Sequence, residues 1–446
     1  METIKEAFES VSAIAGRQKY LENENYRKSA FCVDIKTDDG ILLYQSLTGK
    51  IVLLENEGTD YLENKLIRKE LVENWFLVTE NFDELKHCDQ IRSVLKMLAP
   101  ENKSISYYTV FTTTACNARC FYCFELGQKK ITMSTQTAHD TAQWISKHAN
   151  NTKITFRWFG GEPLFNSKAI DIICNDLKEK KAEFASSIVS NAYLFDEEMV
   201  NKARESWNLK HAIITIDGTE EVYNRTKAFI YKDTNAYKKV MDNIERLLKS
   251  HIAVTVNLNM DSANAEDLKE LSHELGKRFS AYSSFKARCG LLKEYIGKIH
   301  RFDNDEQALN KRNEINAILN KYGIREKKYL SNLPKLNSCM ADDPGAVTIL
   351  ADGRIGKCEH YGDSQEVGNI YCDKINEEKA SSWKKTWPPI KECRTCVYYP
   401  WCFRLERCNG FVSECNQLQR LWYEEETRDR VINTYYKIKD KEEQKG

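Results

Sequence analysis

Residues 107–127, YYTVFTTTACNARCFYCFELG, pass from a β-branched and aromatic run into a loop that carries Cys116, Cys120 and Cys123. Such a run reads as a strand, and the recurrence of its composition along the chain decides the fold. KITFRWF (153–159), ASSIVSN (185–191), AIITIDG (212–218), AVTVNLN (253–259) and YSSFKA (282–287) repeat it. Helical stretches fill 134–149, 166–181, 196–206, 235–250 and 264–278. Strand and helix in alternation imply an α/β fold, a parallel sheet of right-handed βαβ units. Six repeats fit a partial (β/α) barrel or a doubly wound sheet, and both place ligands at the carboxyl ends of the strands. At those ends stand the three-cysteine loop, Gly160-Gly161-Glu162-Pro163, Ser190-Asn191 and Asp217-Gly218. Glycine there lets backbone approach a ligand closely.

The chain has 446 residues, enough for about three domains. Lys+Arg and Asp+Glu are both 66, so no single-sign field points to nucleic acid or anionic membrane. No signal-like segment opens the sequence and no run of apolar residues is long enough to span a bilayer, so a cytoplasmic protein is expected. Fifteen cysteines are then the anomaly. In a reducing compartment clustered cysteines read as metal ligands or redox groups. Cys32, Cys88, Cys174, Cys289 and Cys372 are scattered and are expected to be small core residues. A zinc site would need a fourth ligand, and the nearest cysteine, Cys88, lies in an expected helix. Three thiolates on a [4Fe–4S] cluster would instead leave one iron open to an outside ligand.

The pattern Cys-x3-Cys-x2-Cys, with Tyr122 before the last cysteine, resembles the signature of the radical S-adenosylmethionine (SAM) enzymes, and the likeness extends over about 107–300. The resemblance implies a partial (β/α)6 TIM-like barrel in which Cys116, Cys120 and Cys123 hold a [4Fe–4S] cluster and the methionine moiety of SAM binds the open iron. It implies cofactor contacts from Tyr122, from Gly160, Gly161, Glu162 and Pro163, from Ser190 and Asn191, and from Thr215 and Asp217. Relatives often carry Arg in the fifth strand where this chain has VTVNLN, which leaves Asn257 or a neighbour for the SAM carboxylate.

A second field comprises Cys339, Cys358, Cys393, Cys396, Cys402, Cys408 and Cys415. Two zinc ribbons are the plain alternative, but seven thiolates do not fill two tetrahedral sites. The layout is similar to the SPASM extension, which implies two auxiliary [4Fe–4S] clusters, three clusters in all. By that resemblance Cys393, Cys396, Cys402 and Cys415 ligate the distal one, while Cys339, Cys358 and Cys408 hold the nearer one, a ligand short. Five residues precede Cys408 where three are usual. Glu359 matches the acidic residue that takes a proton from substrate in related sulfatase maturases, and a surface role competes evenly.

Upstream, FCVDIK and ILLYQS (31–36, 41–46) form a hairpin on the turn TDDG, followed by the strand KIVLLE (50–55) and helices over 57–71 and 83–98. This small α+β unit resembles the winged-helix-like leader-recognition element of enzymes that modify ribosomally made peptides. KIVLLE and a helix beyond it are the expected leader surfaces, by strand addition. The expected division is 1–100 leader recognition, 101–325 radical SAM barrel, 326–425 cysteine-rich iron–sulfur domain and 426–446 a charge-rich helix and solvated tail. The tryptophans of SSWKKTWPPIKEC are expected to pack a bridging helix.

The combined expectation is an oxidoreductase: a SPASM-type peptide maturase that uses a 5′-deoxyadenosyl radical to abstract hydrogen from a precursor peptide and install a thioether or carbon–carbon cross-link. Its partners would be that peptide and a low-potential donor such as flavodoxin or ferredoxin. The alternatives are an anaerobic sulfatase-maturing, formylglycine-forming enzyme, a non-enzymatic iron–sulfur or zinc scaffold, and a peptide-binding module with degenerate chemistry.

Overall fold

The computed structural model describes the chain except residues 56–63, 100–103, 151, 233–234, 293–298, 337–338, 361–365, 373, 403, 405–407, 409–414 and 445–446. Two compact units result, one of Met1–Glu101, Lys327–Cys339 and Thr386–Gly446, the other of Asn102–Glu326 and Met340–Lys385.

The first unit is built on a four-stranded antiparallel sheet. In chain order its elements are β1 (Glu2–Lys5), α1 (Glu9–Ala15), β2 (Tyr26–Lys28), β3 (Cys32–Thr37), β4 (Gly40–Gln45), β5 (Lys50–Leu54), α2 (Lys65–Glu73), β6 (Leu77–Thr79) and α3 (Glu84–Leu98). The sheet order is β1-β5-β4-β3, and β2 pairs with β6 apart from it. Residues 57–63 of the expected 57–71 helix lie outside the described residues. In the hairpin Thr37 pairs with Gly40, so Asp38 and Asp39 form the turn and Gly40 opens β4. Gly40 sits at φ +136°, and a Cβ there would run into the Leu54 carbonyl oxygen.

Side chains alternate across this sheet, as the two-residue period requires. Val33, Ile35, Leu42, Tyr44, Ile51 and Leu53 meet Val431 and Tyr435 of the C-terminal helix (Gln417–Glu443). On the other face Leu43, Val52 and Leu54 meet Leu71, Val72, Phe76 and Leu77. The C-terminal helix thus covers one side of a core, where a charge-rich helix and solvated tail were expected. Its Tyr435 hydroxyl donates to Asp39 (2.7 Å) beside the Lys439 ammonium.

The second unit holds a nine-stranded sheet. Its strands are β7 (Tyr107–Thr113), β8 (Ile154–Gly160), β9 (Phe184–Ser190), β10 (Leu209–Thr215), β11 (Ala253–Met260), β12 (Phe285–Leu291), β13 (Ala346–Ile349), β14 (Arg354–Gly356) and β15 (Gly368–Asn369). Spatial order is β12-β11-β10-β9-β8-β7-β13-β14-β15. From β7 to β12 each strand lies parallel to the next in sequence. The order never reverses, which excludes a doubly wound sheet, and β12 does not pair with β7, which makes the barrel partial. The connecting helices are α4 (Thr135–Ala149), α5 (Ser167–Glu179), α6 (Glu197–Glu205), α7 (Glu220–Lys227), α8 (Ala236–Lys249) and α9 (Ala265–Phe279), with α10 (Asp305–Lys321) after β12. Ser134, Asp196 and Asn235 cap α4, α6 and α8 by accepting from backbone N–H groups of the first turn. Beyond β7 the sheet continues through β13, parallel to β7, into the antiparallel β14 and β15.

Candidate radical site and cysteine cavity

The three-cysteine loop leaves the carboxyl end of β7 and is held there by main chain. Gly161 N–H donates to the Thr113 carbonyl (2.9 Å) and Glu162 N–H to the Ala115 carbonyl (3.0 Å). Gly160 has φ +118°, and a Cβ on Gly160 or Gly161 would collide with the Thr113 or Ala115 carbonyl oxygen. The glycines therefore allow the rim after β8 to lie against the loop after β7. Thr112 Oγ1 donates to the Pro163 carbonyl (2.9 Å) and closes the same seam.

Glu162, with no exposed surface, ties in the third strand end. Ser190 Oγ donates to its Oε1 and Asn191 N–H to its Oε2, both at 2.8 Å. Burial pushes the Glu162 carboxyl up to about 7 against the pull of these donors. Asn191 Nδ2 donates to Asn117 Oδ1 (2.7 Å) and stands 3.8 Å from Cys116 Sγ. The GGEP segment, Ser190, Asn191 and the first cysteine are thus one connected rim.

The fourth strand end engages the other side of the loop. Tyr122 Oη donates to Asp217 Oδ2 (2.6 Å), and Lys227 Nζ lies 2.8 Å from the same oxygen. Lys227 also donates to Thr215 Oγ1 (2.7 Å) and Tyr122 Oη (2.9 Å), while Asn259 Nδ2 donates to Asp217 Oδ1 (3.1 Å). Burial disfavours the ammonium, but Asp217 together with Tyr122, Cys120 and Tyr223 outweighs it and holds Lys227 well above its ordinary value. The side chains of Tyr122, Thr215 and Asp217 are therefore engaged with Lys227. Lys227 escapes a reading of the sequence because the short polar stretch that carries it has no helical signal. Asn259 had a signal, since in NLN it shares a strand face with Asn257.

Asn257 sits apart from this network: its Oδ1 accepts from Arg288 Nε (2.6 Å), and Arg288 in turn lies 3.2 Å from Glu326. Arg288 on β12 is in register with Asn257 on β11, so a guanidinium reaches the rim from the neighbouring strand. Glu359 is mostly buried with its Oε2 3.6 Å from Arg157 Nη1. His360 N–H donates to Cys358 Sγ (3.4 Å).

In the first unit Cys393, Cys396, Cys402 and Cys415 line one cavity of about 580 Å³, walled by Tyr398, Tyr399, Tyr423 and Trp387. Cys408 does not line it. Trp387 is thus on the cysteine cavity wall, while Trp383 is buried in a short turn of the second unit, so no bridging helix joins the pair. Cys339 closes a segment of the first unit and Cys358 belongs to the second. Among the scattered cysteines Cys32, Cys88, Cys174 and Cys289 are buried as expected, whereas Cys372 is exposed.

Thiols are the donor type that iron–sulfur groups take. Burial pushes the Cys116 thiol up to about 12 and the Cys396 thiol to about 11, and raises Cys120, Cys123, Cys402 and Cys415. A thiolate in such surroundings calls for a bound cation, and iron supplies one. Among the described residues no three His, Cys, Asp or Glu side chains already stand at metal-ligand spacing.

A parallel partial barrel with Cys-x3-Cys-x2-Cys after its first strand defines a class, and the Radical SAM superfamily profile matches residues 110–275. The chain therefore carries a radical SAM domain over those residues, and that family implies SAM and one [4Fe–4S] cluster. Among its relatives, the radical SAM cyclopropyl synthase TigE of Paramaledivibacter caminithermalis is 24% identical over 252 residues, 45% of this chain and 53% of that protein. An uncharacterized protein of Methanocaldococcus jannaschii is 26% identical over 58% of this chain and 86% of its own length. Among the solved structures that share the fold are these two. One, anSMEcpe with bound AdoMet and Cp18Cys peptide, has a TM-score of 0.55 and 15% identity over 75% of this chain and 99% of that one. The other, Streptococcus suis SuiB bound to precursor peptide SuiA, has a TM-score of 0.51 and 12% identity over 87% of this chain and 99% of that one. Among the described residues no helix is long and apolar enough to cross a membrane.

Proposed function

We propose that this enzyme is a SPASM-type peptide maturase that cross-links residues of a ribosomally made precursor through a thioether or carbon–carbon bond. When bound at the cluster, SAM supplies a 5′-deoxyadenosyl radical for hydrogen abstraction. Cys116, Cys120 and Cys123 would hold that cluster, and the GGEP backbone, Ser190, Asn191 and the Asn257–Arg288 pair would orient SAM. Tyr122, Thr215, Asp217 and Lys227 would keep the loop in place. Cys393, Cys396, Cys402 and Cys415 would hold the distal auxiliary cluster, with Cys339, Cys358 and Cys408 on the nearer one. Glu359 is the proposed base for the substrate, within the four functional segments drawn from the sequence. Joining two C–H, or C–H and S–H, groups removes two hydrogen atoms, so one electron must pass to an acceptor, and the auxiliary sites are the candidates. A flavodoxin or ferredoxin in the cytoplasm would deliver the priming electron.

The observation that carries the peptide assignment is the free edge of β3. β5, the KIVLLE strand, lies between β1 and β4 and has no edge to offer, so the edge strand β3 is the proposed leader-binding strand. Beside it runs a groove of about 790 Å³ lined by Lys28, Asp34, Val397 and Arg428. Arg428 Nη1 donates to the Asp34 carbonyl (2.8 Å), a main-chain acceptor that an added strand would take over. The precursor complex of SuiB supports the same reading.

The test is anaerobic reconstitution, dithionite, SAM and a short open reading frame product from beside the gene. The expected products are 5′-deoxyadenosine and a peptide lighter by two hydrogen atoms. Absence of 5′-deoxyadenosine would sink the enzyme reading. Its formation with no change in peptide mass would sink the cross-linking one.

A further inference from the structure

In the second unit, beside the cluster loop, lies a cavity of about 400 Å³ whose lining includes Glu359, the proposed base. One wall is apolar: Phe111, Phe124 and Leu350 pack together, and Ile131 extends the surface. Three carboxyl groups line it, those of Glu125, Asp352 and Glu359. Glu125 is 3% exposed, and its Oε1 has no hydrogen-bond partner. A buried acceptor left unpaired is destabilising, and a donor brought by a ligand would offset that cost. Asp352 pairs with Arg354 at 2.8 Å, and Lys129 is the remaining cation on the wall.

We propose that this cavity receives a basic side chain, lysine or arginine, of the peptide substrate, its methylenes against the phenylalanines and its cationic tip on Glu125. A long side chain with an apolar stem and a charged head matches the two kinds of wall. The inference rests on the peptide reading above and names which residue of the peptide is gripped.

Ligand-observed NMR on the reconstituted holoenzyme tests the cavity without any precursor, using n-butylammonium against n-butanol. The ammonium is expected to bind about tenfold more tightly, and Glu125→Gln to remove the difference with iron content unchanged. A second arm uses the capped peptides Gly-Gly-Lys-Gly-Gly, its norleucine version and pentaglycine, and the lysine peptide is expected to bind tightest. Equal affinity for ammonium and alcohol in the unaltered enzyme overturns the proposal, as does a preference that survives Glu125→Gln. Selective ammonium binding with no preference for the lysine peptide would keep the cavity's chemistry and overturn its assignment to a peptide.

Discussion

At the scale of single residues, the Asp217–Lys227 pair is the most exposed to test. Lys227 is 2% and Asp217 0% exposed, so neither charge has water to fall back on. Lys227→Met leaves a buried carboxylate with only Tyr122 and Asn259 as donors and is expected to cost about 3–5 kcal/mol, read from the urea midpoint. Adding Asp217→Asn should recover much of that loss, because the uncompensated charge is then gone. Glu426 gives a pH signature. Burial alone would raise its carboxyl, but Lys328 and Arg430, at 2.6 and 2.8 Å, outweigh burial and hold it at about 2. Its folded value lies below its ordinary 4.5, so the unfolded chain binds more protons between the two. The resulting stability, about 3 kcal/mol, is full above 4.5 and is lost as pH falls toward 2. Side-chain carboxyl NMR should find Glu426 titrating near 2, and Glu426→Gln should flatten the acid limb of a denaturation series.

Among the elements, those with strong periodicity are legible in the sequence and those fixed by distant partners are not. Strands β7 to β11 and most of the helices between them fall within a few residues of expectation, because β-branched runs and amphipathic helices carry their own signal. The exception is α7: EEVYNRTK is polar and short, and its inward residues Tyr223 and Lys227 serve the network around Asp217. The edge or centre position of KIVLLE is also illegible, since a strand buried on both faces reads the same in either place. The GGEP contacts are legible in kind, because glycine before a polar residue at a strand end implies close approach; the lysine that anchors the loop is not. The C-terminal helix can be tested as an element. Tyr435→Ala removes a ring packed on the first unit's sheet together with its bond to Asp39. About 3 kcal/mol of stability is expected to go with it, measured as a lower thermal midpoint.

For the whole molecule, iron content is the decisive count. Three clusters would give about twelve irons and one would give about four. Cys402→Ser, at the cavity shared by four cysteines, should lower the total by about four irons, whereas Cys174→Ser, in the buried core, should leave it unchanged. A feature of the first unit also reaches into the cell's timetable. Its sheet is translated before the second unit, but the helix that covers one face of that sheet is translated after it. At about 5–20 residues per second the ribosome leaves Val33, Ile35, Leu42 and Tyr44 without that cover for tens of seconds. A chain cut short before Gln417 leaves that apolar face without its cover and is expected to co-purify with a chaperone where the full chain does not.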